Sequence, residues 1–525
     1  MGDSNMDERF AAFVLNRLGY GPTPGDLQNI PKRNLNAWLE EQLSPPEGDD
    51  AGVKARIAAA QYRIHYNAKD SYPAVDEMRP LQSLDKPIEE LWPLLDKTQP
   101  RDGAERTRPR VEVMAVTCIR AAYSQYQLRE AVVAFWHDHF NVNANAGDQI
   151  AIAFPTYDRD VIRRHALGNF REMLEAVATS TAMLYYLSNH ASRAGAANEN
   201  YARELFELHT LGRDAYLNDH YDRWKNVPGA LKGKPVGYID QDVYEAARAF
   251  TGWTVEDGAN LDNQRKLPAT GKFTYVETWH DGYQKRVLAQ DFDPFATVMA
   301  DGRKVLDLVA NHPATARHVV GKLCQRFIGS NTSAVLMDKL INEWHRLAKS
   351  PHQIAQVISL IAQSSDFANS QGSKVKRPLA LGINFVRITG IDFTPTEGFM
   401  NTVGNGGQHL FAYGPPTGLP DTNSYFLNTA DMRSRWALLL GLAQNSWQTG
   451  VCNPARVMPY ASNVSAGDYI GQWLNVFGAM NNPETIASIT SAIGTPPTAM
   501  VRDLDEKKLA TGVAVAAMSP GFQSA

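Results

Sequence analysis

The chain reads as mainly α, a large irregular multi-helix domain with at most a small β-hairpin. Three observations predict this. Apolar residues recur at helical spacing through most of the chain, strict polar–apolar alternation is sparse, and 525 residues suffice to bury a large core. With 44% hydrophobic and 21% charged residues, the composition is that of an ordinary globular protein. A net charge of −4 gives no reason to expect nucleic acid or acidic membranes as partners. Cys118, Cys324 and Cys452 are too few and too far apart for a disulfide framework or a cysteine metal site. No stretch approaches the roughly 20 apolar residues of a membrane span. A single domain over 1–525 is expected, with a sub-boundary near 295–303 between a His/Glu-bearing part and a part carrying a Gly/Pro-rich loop.

The elements follow from periodicity and punctuation. Asp7–Leu18 and Pro31–Leu43 read as helices separated by the turn Gly19–Pro24. Ala51–Asn67 is rich in helix formers, and 68–108 is polar and Pro-rich around an amphipathic piece at Ile88–Leu95. Arg108–Phe140 reads as a helix pair, followed by helical patterning over Asp158–Val177 and Ser180–Ser188. Asp240–Gly252 is a helix with a terminal glycine. Phe273–Val276 is the best strand-like piece and predicts a small hairpin. Helices follow over Arg303–Phe327, Leu336–Phe367 (interrupted at Ser350–Pro351) and Pro378–Thr389, then a long loop over Gly398–Asn428. Met432–Asn445, Ser465–Phe477 and Glu484–Val515 close the chain as helices. No internal repeat, phosphate-binding glycine loop, Gly-x-Ser-x-Gly elbow or His-Glu-x-x-His occurs.

Four segments carry the polar chemistry. In Asn198–Gly212, at about 100° per residue, Asn200, Arg203, Glu204, Glu207 and Leu211 share one helix face, leaving Tyr201, Leu205, Phe206 and Leu208 for the core. The stripe reads as a solvated helix face or as the wall of a polar pocket. In Phe135-Trp-His-Asp-His-Phe140, His137 and His139 fall late in a mostly buried helix or just past its end. On a regular helix the two rings stand about 200° apart and do not readily share one metal, so helix-end capping is the competing role. Trp279–Lys285 brings His280 and Asp281 before a glycine, as a turn commonly does. Gly404–Pro420 exceeds the about 12–15 residues usual for a connector. Its Gln408 and Tyr413, with Tyr425 and Asn428 beyond, offer neutral hydrogen bonds and flat faces suited to a sugar or another polar, uncharged ligand. The alternative is an Ω-type loop packed by its own side chains.

These segments, with Val14–Pro24, Trp38–Leu43, Leu167–Phe170, Ala182–Leu187, Asp242–Trp253 and His312–Arg317, resemble a bacterial family catalogued as domain of unknown function 1800. The resemblance covers most of the chain. It implies no activity that transfers. It does imply frequent secretion signals and a sulfatase-like protein, encoded nearby, as a partner. Two departures stand out: His280-Asp-Gly-Tyr-Gln-Lys285 where the family often reads His-Asp-Gly-Gly-Pro-Lys, and an insert, Asp214–Tyr238, carrying Lys225, Lys232 and Lys234. Met1–Arg9 lacks a basic start and an apolar h-region, and Met6 stands where a lipidation motif needs Ser or Thr. The chain is therefore expected to be cytoplasmic if complete, and periplasmic or secreted if a signal peptide was removed.

Two functional expectations emerge. In the first, the chain is a metal-dependent hydrolase or oxidoreductase acting on a polar, carbohydrate-like substrate. Glu204, Glu207, His137, His139 and His280 would ligate zinc, manganese or iron, with Glu199 or Asp281 as base or ligand orienter. Arg203 would hold a substrate group, with Gln408, Tyr413, Asn428 and Lys285 lining the substrate pocket. In the second, the protein is a non-catalytic binding or scaffold protein, and its Glu, Arg and His residues form a buried network. Arginines in apolar helices, such as Arg326, need carboxylate partners. The Glu199/Glu204/Glu207 group is the nearest supply in the sequence.

Overall fold

A computed structural model describes residues 5–525 and is mainly helical, with three two-stranded antiparallel sheets among those residues. The start of the chain, read above for targeting signals, lies partly outside the described residues. The expected hairpin forms from Trp253–Asp257 and Ala269–Tyr275. Two further hairpins join Gln61–Tyr66 to Val75–Pro80 and Lys285–Val287 to Gln290–Phe292. The first of these corrects the sequence reading. The helix begun at Ala51 stops at Ala59, and Gln61–Tyr66 then alternates, with Tyr62 and Ile64 turned inward. That alternation is only three pairs long, and the helix formers before it mask the change of period.

Most helices fall where caps and periodicity place them. Pro378–Thr389 starts on a proline and ends at Gly390, whose φ of 63° gives the left-handed stop that glycine adopts at no steric cost. The run read as one helix over Arg303–Phe327 is two, Ala300–Ala310 and Pro313–Phe327, because His312 caps the second and Pro313 opens it. The long loop is shorter than expected: Thr396 caps a helix over Glu397–Asn405, so the irregular stretch begins at Gly406.

The apolar interior gathers into two large clusters. One draws on residues from Met6 to Phe367; the other is built mostly from Leu379 to Phe522. The helix Gly103–Tyr123 feeds both, through Val113 on one side and Cys118, Ala121 and Ala122 on the other. Phe411, from the long loop, packs against both. The chain's ends are tied at this seam. The Arg17 guanidinium donates to the carbonyls of Phe327 at 3.0 Å, Ser370 at 2.8 Å and Ala525 at 2.5 Å.

Candidate functional site

The last turn of the helix Gln127–His139 sends three consecutive side chains in three directions. His137 places Nε2 2.9 Å from Asp158 Oδ1. Asp138 accepts from Arg377 Nη1 at 2.5 Å. His139 places Nε2 3.0 Å from the His209 carbonyl. The 100° step between neighbours on a helix dictates this divergence. It also explains why His137 and His139 do not meet at one ion.

His137 and Asp138 line a cleft at the seam between the two cores, together with Tyr20, Asn141, Arg377 and Gln408. Asp158 sits behind the imidazole. Burial opposes its charge, but the His137 hydrogen bond and the Arg163 and Arg120 guanidinium groups prevail and hold its carboxyl well below the usual carboxylate range. An ionised Asp158 accepts the Nε2 proton and leaves Nδ1 as the basic nitrogen, the orienting role a carboxylate plays behind a general base. The charges of the wall are paired. Arg163 grips Glu130 in a two-pronged bridge of 2.9 and 2.7 Å, and Arg377 holds Asp138. The Tyr20 hydroxyl makes no hydrogen bond with any described residue.

The long loop closes this cleft. Phe411 packs against His137 with the rings tilted and their centroids 4.6 Å apart, and its carbonyl accepts from Ala144 N at 2.7 Å. Asn141 Nδ2 donates to the carbonyls of Tyr413 at 3.1 Å and Pro415 at 2.8 Å. Gly418, at φ 74°, lies so close to the helix end that a Cβ there would stand 1.8 Å from the Asp138 carbonyl oxygen. At the loop's end, Asp421 meets Lys374 Nζ at 2.9 Å and Arg326 at 3.4 Å. Arg326 thus takes its carboxylates from Asp421 and, at 3.5 Å, Asp138. That corrects the expected pairing with the Glu199/Glu204/Glu207 group.

The remaining expected site residues stand elsewhere. His280 bonds the Thr251 carbonyl at 2.9 Å and Asp301 at 3.2 Å. Lys285, fully buried, also holds Asp301, at 2.7 Å, and Asp281 is clamped by Arg248 at 2.8 and 3.1 Å. This is a satisfied structural turn, because every charged group in it already has its partner. Arg203 pairs with Asp240 at 3.2 Å and approaches Glu199 at 4.0 Å. Glu207 takes the exposed Arg213 at 3.1 Å. Glu204, half-buried, has no hydrogen bond or ion pair with a described residue; burial, then the nearby Glu207 charge, raises its pKa. Asn428 caps the helix Thr429–Ala443 from the surface. Of the expected site residues, the cleft brings together His137, Gln408 and Tyr413. Among the described residues no group of three or more His, Cys, Asp or Glu is placed to hold a metal ion, so the expected convergence of His137, His139, Glu204, Glu207 and His280 does not form.

The family model described as protein of unknown function DUF1800 matches residues 13–524. The chain belongs to this family. No curated protein and no solved structure matches it.

Sequence reasoning missed Arg377 and Tyr20 in the cleft, Asp158 behind its histidine, and His209 beside it. His209 is 1% exposed, and neither ring nitrogen has a partner among the described residues. Burial, then the charges of Lys322 and His318, push its pKa down to about 3. The signal missed was the position of His209 on the apolar face of the run, and the structure adds a change of helix type. Glu199–Glu204 is α-helical, but Leu205–His209 is a π-turn. A π-turn accommodates about one extra residue, so the residues beyond it are rotated by roughly 100° from their α-helical places. His209 lies beside His139, ring centroids 6.3 Å apart, on the core face where 100° per residue also places it, between Leu205 and Phe206. Asp158 and Arg163 likewise lie on a π-helical segment, Tyr157–Arg163. Gly212 ends the first π region at φ 87°, where a Cβ would stand 2.7 Å from the His318 ring.

Proposed function

We propose that this protein is an enzyme acting on a small, polar, uncharged molecule of the carbohydrate class, with His137 as general base. The observation that carries the reading is the His137–Asp158 pair, a histidine oriented by a buried carboxylate and facing a cleft closed by the long loop. Wall charges that already neutralise one another favour a neutral ligand over an ionic one. Tyr20, Tyr413 and Gln408 supply the hydroxyl and amide groups and flat faces that such a ligand uses. Asp138 and Arg377 fix the floor of the cleft and the position of the loop.

The test begins with a panel of mono- and disaccharides and polyols titrated against the full chain by tryptophan fluorescence, with turnover of any binder followed by NMR. His137→Gln should abolish turnover and keep binding; Gln408→Ala should weaken binding. Turnover that survives His137→Gln overturns the reading. Binding without turnover in the unmodified protein favours the alternative, a non-catalytic binding protein using the same cleft. The metal-dependent form is tested by elemental analysis of protein purified without chelator, where stoichiometric zinc, manganese or iron would displace the general-base mechanism. Partnership with a sulfatase-like protein rests on the family resemblance, and co-purification tests it.

A further inference from the structure

A second cleft, of about 2230 Å³ including its open mouth, runs along the helix Pro313–Phe327. Its opposite wall is built from the two ends of the insert that departs from the family pattern, Asp214–Ala215 and Gly233–Val236. The lining is largely aliphatic: Leu211, Pro235, Val236, Leu288, Leu308 and Ile341. Val236 is 56% exposed at the rim, an apolar side chain that the fold leaves uncovered.

The cations here are short of partners. Lys322 lines the cleft and makes no hydrogen bond or ion pair with a described residue. Asp138 and Asp421 act on it only at a distance. Burial pushes its pKa down to about 8 against their pull. Arg317 and Lys234, on the same walls, have no carboxylate within ion-pair distance, and Asp307 is already taken by Arg171 at 2.5 Å. One helical turn of the wall is also kept empty. Gly321 sits mid-helix, where glycine costs about 1 kcal/mol relative to alanine, and a Cβ there meets nothing within 4 Å. The vacant position and the unpartnered ammonium are adjacent in sequence and face the same cleft.

We propose that this cleft binds an amphipathic monoanion, an aliphatic chain ending in a carboxylate, with the carboxylate on Lys322 and the chain along the aliphatic wall. A partly buried cation is stabilised by gaining an opposite charge, and apolar walls reward an apolar body. Asp138 and Asp421 lie close enough to act on Lys322, which favours one negative charge over the two of a phosphate monoester. The site is separate from the His137 cleft, so it stands or falls independently of the proposed activity.

The test is isothermal titration calorimetry of the full chain at pH 7 with dodecanoate, dodecyl phosphate and dodecanol below their aggregation concentrations. Dodecanoate should bind one to one, at least tenfold more tightly than either comparator. Lys322→Met should weaken dodecanoate at least tenfold and leave dodecanol unchanged. Gly321→Leu should abolish dodecanoate binding while raising the melting temperature, since it fills the cleft and improves the helix; that rise also shows the variant is folded. Absence of dodecanoate binding, equal affinity for dodecanol, tighter binding of dodecyl phosphate, or binding unaffected by Gly321→Leu would each overturn the proposal.

Discussion

Replacing Asp158 by Asn removes one charge and changes little in shape. The carboxylate is buried, 5% exposed at the side chain, and it bonds His137 at 2.9 Å and Arg120 at 3.2 Å, with the Arg163 charge also acting on it. Removing one partner of a buried ion pair costs about 3–5 kcal/mol. Here the stranded cations keep other partners: Arg120 holds Asp49 at 2.9 and 2.8 Å, and Arg163 holds Glu130. The expected cost of Asp158→Asn is therefore at the lower end, about 3 kcal/mol. Unfolding entropy of about 2.1 cal/mol/K per residue gives roughly 1.1 kcal/mol/K for a chain of this length, so the melting temperature should fall by about 3 °C if the chain unfolds as one unit. Because the folded-state pKa of Asp158 is depressed, its contribution is fully present above the unfolded value of 3.8 and is lost as pH falls through the folded value. The gap between wild type and variant should hold steady from pH 8 to 5 and close only below 3.8. Calorimetry and urea midpoints across pH measure it. Asp160→Asn is the control, since its pair with Arg159 is 47% and 31% exposed and should change stability by less than about 0.5 kcal/mol. Equal effects of the two variants, or a gap that already closes between pH 8 and 5, would refute this account of the buried network.

Glu204→Gln should not cause the loss of several kcal/mol that a buried ion pair would entail. A carboxyl whose folded pKa is raised is penalised above that pKa and not below the unfolded 4.5, so the variant should match or slightly exceed wild-type stability at pH 8 and converge with it at pH 4; a marked fall in urea midpoint at pH 8 would show a partner for Glu204. His209 and His318, whose pKa values are pushed down to about 3 and about 4, contribute stability that is complete above pH 6.5 and is lost as pH falls toward those values. His209→Phe should flatten the pH–stability curve between 6.5 and 4, and an unchanged slope in denaturant titrations would contradict its burial as a neutral ring. Gly418→Ala must place a Cβ against the Asp138 carbonyl in a left-handed backbone and should lower stability by roughly 2–4 kcal/mol while exposing 406–420 to limited proteolysis. Gly414→Ala, with open space at its Cβ, should resist protease as wild type does.

Helical class, the principal helices and the order of elements were legible because they rest on interactions between residues three or four apart. Pro378–Thr389, with its proline start and glycine stop, is written wholly in local terms. The strand at Gln61–Tyr66 and the helix at Glu397–Asn405 were not, since each is short and its neighbours bias the pattern the other way. In the cleft, His137, Gln408 and Tyr413 were legible as polar or aromatic groups placed in unusual local settings. The two π-turns were invisible to a 3.6-residue projection, although that projection does place His209 on the core face between Leu205 and Phe206. The sequence by itself determined which residues carry charge and which helices must bury an apolar face. Only the tertiary structure decided which charge answers which. Asp138 finds Arg377 across 239 positions, while Asp281 takes Arg248 and His280 takes Asp301. Helix formation is settled by forces that reach one turn, but a buried charge must take whichever opposite charge the packing of distant segments delivers.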